Sequence, residues 1–264
     1  MKTLNILVCE GNTPEEGKKF KDVGIATHTE SLKESLNYYH KNLNIDVLNP
    51  CLELDVNSIV PNLKKYDGLI WGGSSLNIYN DTIEIKRQIL FMKECLKNIK
   101  KTLAICWGMQ VAVTASGGVV KKGVNGSHIG IAKDIKLTNE GLNHSFYKKK
   151  DKQFNSPAFN FDEVVSMPNG AIHLASNKIN KIQSLYFKSG ISEVWGLQYH
   201  PEITYEKMIN IIKFRKERLI NERKRFKNED EVKNHINLIE EEVKVSNKDS
   251  RMIELKNWLD YLLD

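Results

Sequence analysis

Along the chain, compact apolar runs of strand length alternate with longer stretches whose apolar residues recur at helical spacing. Leu4 to Cys9 is the first run and predicts a strand, followed by a loop from Glu10 to about Thr29. Ser31 with Glu34 three residues on has the form of a capping box and predicts a helix to about Asn42. Ile45 to Leu48 predicts a second strand, Ile59 to Lys64 a short helix, and Gly68 to Trp71 a third strand. Ile85, Ile89, Met92 and Leu96 share one helical face within Asp81 to Asn98. Thr102 to Ile105 is a further strand that runs straight into Met109, Val111, Ala112, Val113 and Ala115, a tightly packed helix stopped by Gly117-Gly118. Strands alternating with helices predict an α/β fold: a central, mostly parallel sheet with helices on both faces and any site at the strand C-terminal ends.

After Gly118 the spacing changes. Gly117 to Gly130 is glycine-rich and predicts a strand and turn, and Ile131 to Leu137, Val164 to Met167, Ala171 to Ala175, Ile182 to Phe187 and Val194 to Tyr199 follow as strands. The polar, lysine-rich stretch Leu142 to Pro157 reads as a loop. From Thr204 the pattern is helical to the end. Thr204 to Phe226 is a helix with a dense basic run, Lys213, Arg215, Lys216, Arg218, Arg223, Lys224, Arg225 and Lys227. Two amphipathic stripes follow, Val232, Ile236, Ile239 and Val243, then Met252, Leu255, Leu259 and Leu262. Residues 1–203 are thus expected to form the α/β domain, and 204–264 a helical C-terminal extension packed on it or on a partner, a homodimer included. The basic run reads as a solvated helix face, or as the contact for an acidic partner or a phosphate-bearing substrate.

Composition narrows the class. The 264 residues, 41% of them apolar, suffice for one sizeable α/β domain with an appendage and not for two full domains. Cys9, Cys51, Cys95 and Cys106 show no paired or metal-like spacing, which points to a reducing cytoplasm and away from a zinc site. Leu4 to Val8 is too short an apolar run for a signal segment or a membrane span, so a soluble, cytoplasmic protein with no membrane partner is expected. A formal net charge of +6 is modest at this length and gives no ground for specific nucleic-acid binding.

Three stretches carry candidate chemistry. Cys106 stands where a strand turns into a helix, flanked by small residues at Ala104 and Gly108. At such a corner the orphan amides and the helix dipole favour negative charge, the condition under which a thiol acts as a nucleophile. His200-Pro201-Glu202 lies just past the last apolar strand and offers a base and its orienter. Gly72-Gly73-Ser74 breaks the third strand with residues that let backbone N–H groups approach a substrate oxygen. Each has an ordinary structural reading on its own: a buried cysteine, a capped histidine, a β-turn. All three together point to a catalytic site.

In order and spacing these motifs resemble the class I (triad) glutamine amidotransferases, and among them free-standing domains similar to the amidotransferase half of GMP synthase. The resemblance covers residues 4 to 202 and rests on Gly72-Gly73-Ser74, on Cys106-Trp107-Gly108-Met109-Gln110 and on Gln198-Tyr199-His200-Pro201-Glu202. It implies a flavodoxin-like fold, with Cys106 as nucleophile, His200 as general base and acid, and Glu202 as its orienter. It further implies Gly73 and Trp107 as oxyanion donors, Gly72, Gln110, Asn160 and Tyr199 as substrate contacts, and neither metal nor organic cofactor. The implied substrate is glutamine or a γ-glutamyl amide, with any ammonia acceptor carried by a separate synthetase subunit, because sixty residues after Glu202 are too few for a synthetase domain. Where relatives read His-x-Asp-Glu-Val, this chain has Asn160-Phe161-Asp162-Glu163-Val164. Alternatives are a γ-glutamyl hydrolase without an acceptor, a non-catalytic regulatory module, and a cysteine-elbow protein assisted by Glu10. The intact Cys, His and Glu argue against the second. The third would expect a histidine where Trp107 stands.

Overall fold

A computed structural model describes residues 2–263. In chain order its strands are β1 (Leu4–Cys9), β2 (Leu43–Leu48), β3 (Gly68–Trp71), β4 (Lys101–Ile105), β5 (Val119–Lys122), β6 (His128–Ile129) and β7 (Ala132–Leu137). They continue as β8 (Gln153–Ser156), β9 (Phe159–Asn160), β10 (Asp162–Ser166), β11 (Ile172–Ser176), β12 (Ser184–Ser189) and β13 (Ser192–Leu197). The helices are α1 (Pro14–Asp22), α2 (His28–Tyr39), α3 (Val56–Ile59), α4 (Ile83–Asn98), α5 (Trp107–Ala115), α6 (Asn139–Asn143), α7 (Tyr205–Phe214), α8 (Glu229–Val245), α9 (Lys248–Arg251) and α10 (Ile253–Leu263).

Nine strands form one sheet in the order β2-β1-β3-β4-β13-β12-β11-β7-β8. The pairings from β2 to β13 are parallel, and those from β13 to β8 antiparallel. The parallel half is the α/β fold expected from the sequence. Its central strands are apolar throughout because both faces are covered: β3 is buried along its whole length, and β1 sends Ile6 and Val8 into one core and Leu7 and Cys9 into the other. On this frame the C-terminal ends of β3, β4 and β13 lie side by side.

The C-terminal stripes are covered by the chain itself. Met252, Leu255, Trp258, Leu259 and Leu262 belong to the same core as β1 and β4, and a Cβ on Gly68 would lie 2.7 Å from the Trp258 ring. Val232, Ile236 and Ile239 pack with Ile129, Tyr205 and Ile212. Beneath the sheet end, Lys150 and Glu254 form a buried ion pair at 3.0 Å, and Glu254 also accepts from the Tyr199 hydroxyl at 2.7 Å. Arg251 donates to the carbonyls of Pro201 and Ile203, gripping the segment that carries His200 and Glu202.

Four expectations change. Residues 14–22 form a helix where a loop was expected; Thr13 caps it and Pro14 starts it, but Phe20 is its one buried residue, so it lacks a helical stripe. The capping box of α2 is Thr27 with Glu30, not Ser31 with Glu34: Thr27 N donates to Glu30 Oε2 at 2.6 Å and Glu30 N to Thr27 Oγ1 at 3.2 Å. Ser31 sits inside the helix and donates to Thr27 O. Within Leu142 to Pro157 the backbone pairs as strand β8 against β7. The helix expected to reach Phe226 ends at Phe214; a wide π-type turn follows at Arg218–Glu222, and Lys224 has φ 51°.

Candidate active site

Cys106 occupies the corner between β4 and α5 with φ 53° and ψ −104°, a conformation that costs a non-glycine residue about 1–3 kcal/mol and persists where the surroundings enforce it. The enforcement is visible. Cys106 N donates to Leu197 O at 2.6 Å, and Gly108 N donates to Gly72 O at 3.1 Å. A Cβ on Gly108 would lie 2.2 Å from Trp71 O, so α5 can approach the end of β3 this closely only through a glycine. The first amides of α5, Trp107 among them, have no intrahelical acceptor and face the same end of the sheet.

His200 and Glu202 leave the end of β13 beside it. His200 Nδ1 and Glu202 Oε1 are 2.8 Å apart, and both side chains are buried. His200 N donates to Pro157 O at 2.7 Å, and Ser35 Oγ donates to Glu202 O at 3.3 Å. Burial alone would lower the basicity of His200. Glu202 and the Cys106 sulfur, which also hydrogen-bonds the ring, outweigh it and raise the imidazole to about 10. Burial opposes ionisation of Glu202, but His200 and His28 prevail and hold the carboxyl down at about 2. The site therefore favours an imidazolium beside the Glu202 carboxylate. At the other cysteines burial pushes the thiol up, Cys51 to about 12, so they are poor nucleophiles.

A cleft of about 670 Å³, counting its open mouth, is lined by Cys106, Trp107, Gln110, Asn160 and His200, with Ser74 to Asn77 along one wall. Gly73 stands behind the imidazoles: a Cβ there would meet His28 Cε1 at 2.7 Å and His200 Cε1 at 2.8 Å. Two expected contacts are placed elsewhere. Gly72 gives its N–H to Cys9 O and its carbonyl to Gly108, so its backbone belongs to the frame. Tyr199 turns its hydroxyl away from the cleft toward Tyr147, at 2.8 Å, and Glu254. Asn160 borders the cleft, but its amide is tied to His128 Nδ1 at 2.9 Å, Asn180 Oδ1 at 3.1 Å and Asp162 O at 2.9 Å.

Residues that sequence reasoning passed over also meet here. Gln198 Nε2 reaches the Cys106 sulfur at 3.4 Å, and Gln110 Nε2 reaches Gln198 Oε1 at 3.4 Å. Gln198 had a signal, its place in the Gln198-Tyr199-His200 motif. His28 stacks on His200 with ring centroids 5.1 Å apart, its Nδ1 3.9 Å from Glu202 Oε1, and burial lowers its basicity. The earlier start of α2 is what delivers it. Arg215, Arg218 and Arg223, read as a solvated face or as a contact for an acidic partner or a phosphate-bearing substrate, line the cleft. His28, His200 and Glu202 also place ligand atoms within 4.8 Å of one another, a set able to hold a metal ion, though one there would compete for the atoms joining His200 to Glu202. Among the described residues no helix is long and apolar enough to cross a membrane.

Residues 25–216 match the family described as glutamine amidotransferase class-I. A γ-glutamyl-L-1-hydroxyisopropylamide hydrolase of Pseudomonas sp is 31% identical over 207 residues, 77% of this chain and 69% of that protein. γ-Glutamyl peptidase 4 of Arabidopsis thaliana is 27% identical over 152 residues, 57% of this chain and 59% of that protein. The crystal structure of a glutamine amidotransferase from Thermotoga maritima superposes over the full length of both chains with a TM-score of 0.66 at 18% identity, a likeness of fold.

Proposed function

The chain belongs to the class-I glutamine amidotransferase family, and within it we propose an enzyme that hydrolyses γ-glutamyl amide bonds through a cysteine thioester. The observation that carries this reading is the meeting of a strained Cys106 with the buried His200–Glu202 pair at adjacent strand ends, at the floor of a cleft. The Cys106 thiolate attacks the γ-carbonyl carbon, and the carbonyl π electrons move to oxygen. The N–H groups of Gly73 and Trp107 receive that oxyanion; loss of one such donor costs about 3–4 kcal/mol. As the tetrahedral intermediate collapses, the C–N bond breaks and the His200 imidazolium protonates the departing amine. Neutral His200 then takes a proton from water, whose oxygen attacks the thioester; glutamate leaves and the thiol is restored. Glu202 holds His200 in register and stabilises its charged form. Gln110 and the wall at Asn160 bound the glutamyl half, and Gln198 orients the sulfur.

The hydrolase activities in the names of the two relatives, both directed at γ-glutamyl compounds, support this reading. Family membership also supports a second: glutamine as substrate, with the released ammonia consumed by a synthetase subunit in trans. Four unpaired cysteines favour a reducing compartment such as the cytoplasm. Glutamate release from glutamine and from a series of γ-glutamyl amides decides between the readings. Faster turnover of the substituted amides than of glutamine is expected. Turnover of glutamine alone would select the second reading, and release from none of them would contradict both.

A further inference from the structure

The cleft at Cys106 is also lined by Phe159 and Phe161 and by the arginines packed against them from the segment bearing Arg215, Arg218 and Arg223. That segment is where the helix beginning at α7 breaks, so its side chains turn toward the cleft instead of following one helical face. Arg223 lies over the Phe161 ring, 4.6 Å from its centroid, and donates to the neutral Asn77 Oδ1 at 3.2 Å. Arg218 has a partner in Glu222 at 3.5 Å, but both are partly exposed and such a pair neutralises little. Arg215 sits over Phe20 and Phe159, bonds Glu16 at 2.5 Å, and keeps a buried Nε without a partner. The acid facing them, Asp162, accepts from Asn77 Nδ2 at 2.6 Å and the Tyr79 hydroxyl at 2.9 Å and offsets one of these three charges.

Three guanidiniums against one carboxylate, Asp162, leave the lining of the cleft positive, and aromatic faces hold that charge in place. The glutamyl α-carbon bears an ammonium and a carboxylate together and asks for balanced partners. A surplus of guanidinium suits a ligand with net negative charge and offers paired donors to an oxyacid. Building on the γ-glutamyl amide reading, we propose that the amine half of the substrate carries an anionic group, carboxylate or phosphate, bound by Arg218 and Arg223 with Arg215 behind them.

The test compares matched substrates: γ-glutamyl-glycine with γ-glutamyl-glycinamide, and γ-glutamyl-aminomethylphosphonate for the phosphate arm, with glutamine as reference. kcat/KM from glutamate release is expected to favour an anionic amide over the neutral one by about tenfold or more. Which anion gains more separates carboxylate from phosphate. Arg218→Gln and Arg223→Gln should bring the ratio toward one, and Lys213→Gln, an exposed member of the same basic run, should leave it unchanged. Equal rates for charged and neutral amides in the wild type would overturn the proposal while leaving γ-glutamyl hydrolysis standing. So would arginine variants that slow every substrate, glutamine included, by one factor with the ratio intact, since the arginines would then grip the glutamyl half. A wild type that releases glutamate from no substrate defeats the hydrolase reading and this proposal with it. If an arginine variant fails to fold, calorimetric affinities of Cys106→Ser for the glycine and glycinamide compounds give the same comparison, with equal affinities overturning it.

Discussion

The floor of the cleft is made at the ends of three adjacent strands, whereas its rim hangs from the interrupted helix after Phe214. On the floor, Cys106, His200 and Glu202 are buried and locked by backbone bonds to Leu197, Pro157 and Ser35, so little side-chain freedom remains to be lost when substrate binds. At the rim, Arg218 and Arg223 are half-exposed, and their partners are a weak ion pair and a neutral amide. On the proposed reading, chemistry that needs sub-ångström placement sits at the ends of regular elements, and selection among substrates is left to an irregular segment that can differ while the floor stays the same.

The largest effect that could break this division is at the nucleophile. Cys106→Ala should reduce glutamate release by about 10⁴-fold or more, and a residual rate within tenfold of wild type would move the chemistry elsewhere. Glu202→Gln should cost about 10²–10⁴-fold in kcat and alter the pH profile. Glu202 helps to raise His200 to about 10, so the wild-type alkaline limb should lie near pH 10 and fall to lower pH in the variant. The same pair affects stability with two signs. Glu202, held at about 2 against an ordinary 4.5, contributes stability that is present above about pH 4.5 and lost as pH falls through about 2. His200, raised from 6.5, contributes stability that is present below about pH 6.5 and lost as pH rises through about 10. Denaturant melts across pH check both.

Smaller effects sharpen the comparison. Glu254→Gln leaves Lys150 buried without its counter-charge and should lower unfolding free energy by about 3–5 kcal/mol; an unchanged denaturation midpoint would show that the C-terminal helix does not brace the floor. Asn160→His disturbs bonds to His128 and Asn180 and should cost about 1–3 kcal/mol in stability while moving the ratio of kcat/KM between two γ-glutamyl amides by less than about twofold. A larger change in that ratio would make Asn160 a contact that selects substrate.

What the sequence disclosed follows the same division. β1, β3 and β4 are readable because a strand covered on both faces must be apolar throughout, and the corner at Cys106 is readable because such an elbow demands small neighbours. Tyr199 sits in a recognisable motif, yet its direction is set by a long-range bond to Glu254 that no local pattern encodes. His28 was hidden because two capping boxes overlap, Thr27 with Glu30 and Ser31 with Glu34, and burial against His200 and Glu202 decides for the first. The arginines were legible as a basic run with a solvated or an anion-binding reading, but their place in the cleft was not, because the break that turns them inward goes with tertiary packing on Phe20, Phe159 and Phe161.

The central claim, that Cys106 attacks the γ-carbonyl of a bound glutamyl group, is tested most directly by trapping. The folded protein is incubated with a diazo-ketone analogue of glutamine, digested, and mapped by mass spectrometry. The expected result is one adduct on Cys106, blocked by prior γ-glutamyl amide, with Cys9, Cys51 and Cys95 unmodified because burial keeps their thiols protonated. Labelling at any of those three with Cys106 untouched would contradict the account.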